Sequence, residues 1–406
     1  MINSIPNELL ILILKLAITT SSSWRSYELS NSVISVCHHW EEIASHIPEY
    51  WTHLLIVLDA PTTRLSALSS HLEFSRGLPI EIEVTTGSQT TDRELEKSRA
   101  RVVMTNLTPH MHRCKKIEFN LNHCSALPSL LRDFHGPAPL LTELALTGKS
   151  DDVVTSCPDE ICWDFESPML TKLAIKGANV DAVCNQGLLW LTKLKNLRTV
   201  EFSNYTASPK CPKQLSMGQV LLAIGSIPQR ALRVIHVRFL ELDCSDEADI
   251  VEVNLSPSIA IVEKLQPEFL FAFLHSMTGM LSQIEIINCP IYDLQPFAEA
   301  LFLRKIPVGE RFDLLERWHG RHLSVDDCPS FDDKALDSLT HFNCVSVLQH
   351  ELCSLTLHGC PSVSFEGLKQ FVKKTCLADI HITGGPVLEN TEVEWLTKNL
   401  ESFFWK

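Results

Sequence analysis

The chain has 406 residues, of which 45% are hydrophobic and 21% are charged, so it can bury a large core and is not disordered at scale. Its formal net charge is -14 at pH 7, which argues against a general nucleic-acid binder because that role needs a basic face. The 14 cysteines include no C-x-x-C pair and no even framework of spacings, which indicates buried thiols in a reducing compartment.

The N-terminus predicts an amphipathic helix. Ser4 can cap this helix, and Pro6 is tolerated in its first turn. Leu9, Ile13 and Leu16 then follow at helical spacing. A helix with one apolar face is therefore expected to open the chain.

The apolar run at 9–14 lacks the features of a signal peptide. Glu8 precedes the run, Lys15 interrupts it, and no small-residue cleavage site follows. No run in the chain approaches the roughly 18 apolar residues that a membrane span needs. We therefore expect a soluble protein of the cytoplasm and/or the nucleus, with no membrane and no nucleic acid among its partners.

A polar stretch at 18–30 separates the first helix from a second apolar group. Residues 33–37 are mostly apolar, Pro48 ends the segment that follows, and Trp51 comes next. Three short helices over about fifty residues form a core too small to be stable alone, so this module is expected to pack on a neighbour or a partner. The last helix is indicated by the i, i+3, i+4, i+7 spacing of Trp40, Ile43, Ala44 and Ile47.

Two strands with a helix between them are predicted directly after Trp51. The strands cover 54–57 and 80–84, and the second alternates between apolar and charged residues. Leu65, Leu68 and Leu72 have helical spacing between the two strands. The strand array is therefore expected to begin without a flexible hinge.

Further along, three segments share the template L-x-x-L-x-L-x-x-C, in which proline follows each cysteine. They are Leu281-x-x-Ile284-x-Ile286-x-x-Cys289, Leu352-x-x-Leu355-x-Leu357-x-x-Cys360 and Leu323-x-Val325-x-x-Cys328, which lacks the first apolar residue. Weaker copies contain Ile117, Leu144, Leu173, Val200, Ile235 and Ile380.

This pattern is typical of leucine-rich repeats. Each unit supplies a short strand whose alternating apolar residues face inward, a turn over the cysteine, and a helix on the other side. The spacing is broken at 240–266 and 303–320, where we expect inserted loops. An ordinary α/β sheet with coincidental spacing is the alternative.

The N-terminal residues resemble the F-box motif. The resemblance rests on Ile5-Pro6-x-Glu8-Leu9-x-x-x-Ile13, on Val36-Cys37-x-x-Trp40-x-x-Ile43-Ala44 and on Trp51. The chain is most similar to the F-box family of mushroom-forming fungi, in which divergent leucine-rich repeats often follow the F-box. It departs from the family at Ile5, where leucine is usual, and in the polar stretch at 18–30, which lengthens the first connection.

Together, the repeats and the resemblance predict an α/β fold in three parts. A small three-helix F-box covers 1–51, and a curved leucine-rich-repeat solenoid covers 52–396, with parallel strands on its concave face and helices on its convex face. A C-terminal tail covers 397–406. The resemblance implies adaptor binding, or support of the adaptor-binding face, for Ile5, Pro6, Leu9, Ile13, Val36, Cys37, Trp40 and Trp51.

The function that the resemblance implies is non-catalytic. The chain would be a substrate-recognition subunit of an SCF-type cullin–RING ubiquitin ligase, with the F-box on a Skp-family adaptor, and through it a cullin, and the repeats on an unknown protein substrate. The alternative is an interaction scaffold whose N-terminal helices only cap the first repeat. Strand phase predicts substrate contacts from the outward side chains of Lys172, Lys176, Glu201, His236, Arg238, Glu285, His358 and His381.

No catalytic, cofactor or metal site is expected. The sequence has no Walker-type glycine loop, no G-x-S-x-G and no H-E-x-x-H. The repeat cysteines occupy the turn, where a buried thiol is expected rather than a nucleophile. No closed zinc spacing is matched by the best candidates, which are His110, His112, Cys114, His123, Cys124, His319 and His322.

Overall fold

The computed structural model describes 5–20, 36–59, 65–87, 92–150, 164–206, 214–244, 253–340, 352–375, 377–385 and 388–405, together with Thr63 and Asp152. The chain divides into two compact units. The first comprises Met1–Leu197, Ser208–Pro212 and Ser226–Pro228, and the second comprises Arg198–Ala207, Lys213–Gly225 and Gln229–Lys406.

Among its described residues, the first unit begins with two helices and continues as strands joined by helices and turns. A 3-10 turn at Pro48–Trp51 leads from the second helix into the first strand. The elements are α1 (Asn7–Thr20), α2 (His38–Ser45), β1 (His53–Val57), α3 (Leu65–Phe74), β2 (Ile80–Thr85), α4 (Arg93–Leu107), β3 (Cys114–His123), β4 (Glu143–Ser150), β5 (Lys172–Lys176), α5 (Ala178–Gln186) and α6 (Leu188–Lys193).

The second unit repeats the same alternation. Its elements are β6 (Thr199–Tyr205), α7 (Met217–Ser226), β7 (Val234–Leu240), β8 (Ile259–Glu263), α8 (Pro267–His275), β9 (Leu281–Ile287), β10 (Ala298–Arg304), β11 (His322–Asp326), α9 (Asp333–Ser338), β12 (Ser354–His358), α10 (Phe365–Lys374), β13 (Asp379–Thr383), α11 (Asn390–Asn399) and β14 (Ser402–Trp405). Ser226, the last residue of α7, is assigned to the first unit.

Within each unit, neighbouring strands are parallel and follow chain order. Parallel neighbours need crossover connections, which the helices and turns supply. Strand residues alternate between the core and the outward face, so Leu355 and Leu357 of β12 are buried while Ser354, Thr356 and His358 are not. The predicted α/β class is confirmed, and each unit is consistent with a solenoid-like stack. Among the described helices, none has the length and apolar character to cross a bilayer.

Seven of the fourteen described strands are followed directly by a residue with left-handed backbone geometry. Residues other than glycine rarely adopt a positive φ, so the recurrence of a positive φ at one position marks a repeated turn. Immediately after seven strands, this conformation is adopted by Gly177, Lys264, Asn288, Lys305, Asp327, Gly359 and Gly384.

Three buried cysteines follow these turns, as the repeat template predicts. The N–H of Leu265 donates to Cys289 Sγ at 3.4 Å, and the N–H of Ile306 donates to Cys328 Sγ at 3.5 Å. Each thiol therefore contacts backbone of the preceding turn. Burial raises the pKa of Cys289 and Cys328 to about 11 and that of Cys360 to about 12. These thiols are neutral near pH 7 and serve as turn-packing groups.

Three strands occupy segments that the sequence pattern did not predict. Within 240–266, where a loop was expected, β8 places Ala260 rather than leucine at an inward position. The expected loop at 303–320 continues from β10 and contains the buried Trp318, whose indole N–H donates to the carbonyl oxygen of Ala298 at 2.9 Å. The expected tail at 397–406 includes β14, which pairs with β13. Backbone pairing with a neighbouring strand defines these three elements, although the template is incomplete in β10, which has Leu301 and Leu303 without the cysteine, and weaker still in β8 and β14.

Candidate docking surfaces

The N-terminal helices enclose a small core. Trp51 is buried in it, and its indole N–H donates to the carbonyl oxygen of Ala44 at 2.8 Å. This bond ties the 3-10 turn to the end of α2. The buried members of the core are Leu10, Leu14, Ile43, Ala44, Ile47, Tyr50 and Trp51.

The other side of α1 exposes large apolar side chains. Leu9, Leu12 and Ile13 are 52%, 55% and 48% exposed, and their spacing of three and four residues places them on one helix face. We name these three residues the α1 stripe. Leu16 on α1 and Val36 ahead of α2 are also exposed. Grouped exposed apolar side chains are typical of interaction sites.

The structure separates the eight F-box-like positions by burial. Trp51 lies in the core, while Ile5 and Trp40 are half-buried and pack against it. Cys37 is also half-buried, and the exposed positions are Pro6, Leu9, Ile13 and Val36. The sequence interpretation omitted Leu12, which the same helical spacing would have found. Most of the expected second helix falls at 21–35, outside the described residues.

The N-terminal core continues into the first strand–helix unit. The ring of Trp51 lies 4.6 Å from that of His71 and 5.0 Å from that of Phe74, measured between centroids. Both partners belong to α3. Burial lowers the pKa of His71, against a hydrogen bond to the carbonyl oxygen of Ala67, so His71 packs as a neutral ring. Through this contact, Trp51 of the N-terminal core packs against α3.

On the sheet of the first unit, the outward charges are paired across and along strands. Lys115 Nζ lies 2.8 Å from Glu81 Oε1, and Lys116 Nζ lies 2.8 Å from Glu118 Oε2. Although burial opposes it, the hydrogen bond and charge of Lys115 lower the pKa of Glu81. Burial, followed by the nearby carboxylate of Glu118, raises the pKa of Glu83. The surroundings of Glu83 therefore disfavour its charged form.

Two arginine-centred clusters lie on the outward face of the second unit. In the Arg238 cluster, an arginine Nη lies 3.1 Å from Glu201 Oε1 and another lies 3.7 Å from Glu263 Oε2. His236 lies 3.7 Å from Glu201 as well. One guanidinium thus serves two carboxylates on neighbouring strands of β6–β8.

The Arg304 cluster repeats this arrangement on β9–β11. Arg304 Nη1 lies 2.8 Å from Glu285 Oε1, and its Nε lies 3.9 Å from Asp326 Oδ2. His358 Nε2 lies 3.8 Å from Asp326 Oδ1. Asp326, Asp327 and His358 also bring one potential metal-ligand atom each within 4.8 Å of one another. Arg304 already supplies a positive charge beside Asp326.

The predicted substrate-contact residues lie on the outward face, with one correction. Glu285 was expected to be exposed, but it is 8% exposed because Arg304, from a strand that the sequence did not predict, pairs with it. Glu201, His236 and Arg238 lie together, and His381 packs against Phe404 with ring centroids 4.4 Å apart. The structure does not bring the eight into one cluster: Lys172 and Lys176 lie on β5, and Glu201, His236, Arg238, Glu285, His358 and His381 lie on β6, β7, β9, β12 and β13.

Cys114 and His123, two of the residues considered for zinc, take part in other interactions. Cys114 Sγ contacts the carbonyl oxygen of His110 at 3.4 Å, and burial raises the pKa of Cys114 to about 12 despite the charge of Arg113. His123 Nδ1 lies 3.2 Å from Ser150 Oγ and 3.7 Å from Asp152. A serine–histidine–aspartate triad needs its two partners on opposite ring nitrogens, so this trio does not have that geometry.

Comparison with known proteins found no matching family model and no matching curated protein. The surfaces of the chain that bear on its function are therefore of two kinds, the α1 stripe and the outward faces of the strands.

Proposed function

We propose that the chain is a non-catalytic substrate-recognition subunit of an SCF-type cullin–RING ubiquitin ligase. In this proposal, residues 1–51 form an F-box that binds a Skp-family adaptor and through it a cullin. The strand array is a curved leucine-rich-repeat solenoid that binds a protein substrate. The observation that carries the proposal is the α1 stripe, which exposes three large apolar residues opposite a packed core.

The stripe supports adaptor binding because exposing these side chains has a cost that docking would remove. Burying a leucine-sized side chain stabilises a structure by about 1.5–3 kcal/mol. Leu9 and Ile13 are among the residues that match the F-box pattern, whereas the matching Trp51 supports them from the core. The exposed and buried members of the pattern therefore have separate tasks, contact and support.

The strand array supports the substrate-binding half of the proposal. Parallel strands present rows of alternating outward side chains, and the turn with positive φ follows one strand of the first unit and six strands of the second. Repeat proteins use such extended surfaces to bind other proteins. The outward charges of both signs suit a polar protein ligand.

A cap of the first strand–helix unit is the second candidate for the N-terminal helices. The observation that favours it is the packing of Trp51 against His71 and Phe74. Removing 1–51 separates the two roles. If the segment is mainly a docking module, the shortened chain keeps its cooperative thermal unfolding and loses only adaptor binding. If it is mainly a cap, the shortened chain unfolds or aggregates.

The direct test is co-expression of the full chain with a Skp-family adaptor, followed by size-exclusion chromatography and calorimetry. We expect a one-to-one complex with the unchanged chain. The double variant Leu9→Asp with Ile13→Asp should weaken binding by at least about tenfold, since apolar anchors dominate such interfaces.

The matched control is Leu189→Asp, because Leu189 is 80% exposed on the helix α6 and has no place in the F-box pattern. The control should bind the adaptor like the unchanged chain. The proposal fails if folded, unchanged protein binds no Skp-family adaptor, or if Leu189→Asp loses binding as fully as the double variant.

A further inference from the structure

We infer that the outward face of β6–β11 docks an extended peptide segment in which an apolar side chain lies between two basic ones. The inference rests on the proposed function, because this segment would belong to the substrate protein. The observations that indicate the chemistry of this segment all come from the second unit.

The centre of this face is apolar, unlike the charged face of the first unit. Ile261 of β8 and Phe302 of β10 lie on either side of β9, each opposite Glu285 in the strand register. Ile259 and Ile287 occupy adjoining outward positions. All four apolar side chains are half-buried rather than enclosed. We name these four residues the apolar centre.

Glu285 gives the apolar centre a negative charge. Its side chain is largely covered, between Ile261 and Phe302, and it is held by Arg304 at 2.8 Å. A charge in such partly desolvated surroundings is less screened by salt than an exposed one. A basic side chain laid over the apolar centre would therefore gain more here than on an open surface.

Both arginine-centred clusters have more carboxylates than guanidinium groups. Arg238 lies between Glu201 and Glu263, and Arg304 lies between Glu285 and Asp326. Each cluster thus keeps an excess negative charge when its histidine neighbour is neutral. Docking surfaces use such complementarity to select partners and to set their register.

Lysines near the face lie beyond the strand ends. Lys264 follows β8 in a turn residue with positive φ, and its ammonium lies 4.5 Å over the ring of Phe239. Lys305 occupies the equivalent turn after β10. In the central row of outward residues on β6–β10, the acidic groups are Glu201 and Glu285, with His236 as the basic neighbour. A peptide along that row would meet carboxylates, so its own charges should be positive.

Strand spacing sets the distance between the two basic residues of the ligand. In the central row, Glu201 is on β6 and Glu285 is on β9, three strands further along. Three spacings amount to about 14 Å. An extended peptide covers about 3.3–3.6 Å per residue, so the basic residues should be about four positions apart. The apolar residue falls between them, over Ile261.

Fluorescence anisotropy with three labelled synthetic peptides tests the inference on the full chain. The first peptide has two lysines four positions apart with a phenylalanine midway. The second replaces the lysines with aspartates, and the third replaces the phenylalanine with serine. We expect the first to bind at least about tenfold more tightly than either of the others, and to lose affinity as salt increases.

Two chain variants locate the site, and a third provides the control. Glu285→Gln and Phe302→Ser should each weaken binding of the first peptide by about tenfold or more. Glu118→Gln removes a paired carboxylate from an outward position of the first unit and should leave binding unchanged. If Phe302→Ser does not fold, the comparison of peptide binding by Glu285→Gln and by Glu118→Gln still tests the inference.

The inference is overturned if the first peptide does not bind, if all three peptides bind alike, or if Glu118→Gln weakens binding as much as Glu285→Gln. Adaptor binding is measured on the same preparations. Peptide binding without adaptor binding would contradict the ligase proposal and keep the inference, whereas adaptor binding without peptide binding would contradict the inference alone.

Discussion

The N-terminal helices and the strand array expose different kinds of side chain. On α1, the outward residues Leu9, Leu12 and Ile13 are large and apolar. On the strands, many outward residues are charged and already have partners, such as Lys116 with Glu118 or Arg304 with Glu285. Covering exposed apolar side chains with another molecule lowers the free energy, whereas paired charges already have partners within the chain. In the proposed function, the helix surface would therefore be covered by the adaptor, and the strand surface would select the substrate.

The two faces of α1 provide the largest expected contrast. Leu10→Ala removes a side chain from the N-terminal core and should lower the free energy of unfolding by about 2–5 kcal/mol. Leu9→Ala removes an exposed neighbour and should change it by less than about 0.5 kcal/mol. Urea unfolding of both variants measures the contrast. Equal losses would mean that the α1 stripe is part of the core.

A smaller contrast separates the ion pairs of the two units. Arg304→Ala leaves the nearly buried Glu285 without its close partner and should cost about 1–3 kcal/mol. Lys116→Ala leaves the more exposed Glu118 and should cost less than about 1 kcal/mol. Denaturant midpoints at two salt concentrations measure both losses. If Lys116→Ala lowers the free energy of unfolding more than Arg304→Ala does, the burial of Glu285 contributes less to stability than its low exposure suggests.

The smallest expected effect concerns Glu83 in the first unit. Because folding raises the pKa of Glu83, the protonated carboxyl stabilises the fold, and this contribution is lost as pH rises through the raised pKa. Glu83→Gln should therefore stabilise the chain at pH 7, by only a few tenths of a kcal/mol because the side chain is partly exposed. Near pH 3 the gain should vanish, since the carboxyl is then protonated in both states. Melting temperatures at the two pH values check the sign.

The sequence predicted the strands that carry the leucine template, because alternating inward residues are sufficient to define a half-buried strand. It did not predict β8 or β14, whose inward residues depart from the template, or β10, which has Leu301 and Leu303 but lacks the first leucine and the cysteine. The misjudged exposure of Glu285 follows directly, since Arg304 of β10 covers it. The apolar centre was also missed, because Ile261 and Phe302 lie on β8 and β10.

At the N-terminus, helical spacing predicted a contact face but not its orientation. Periodicity shows which residues of α1 share a face, while the packing of Leu10 and Leu14 against α2 determines which face is covered. The sequence therefore named Leu9 and Ile13 together with Trp51, and only the structure separates contact residues from supporting ones.

Hydrogen–deuterium exchange of the full chain, with and without a saturating Skp-family adaptor, tests the ligase proposal most directly. We expect slower exchange in α1 and at 36–45 when the adaptor is bound, with exchange in β9–β12 unchanged. Protection confined to the strands, or no protection of α1 in a chain shown to be folded, would contradict it.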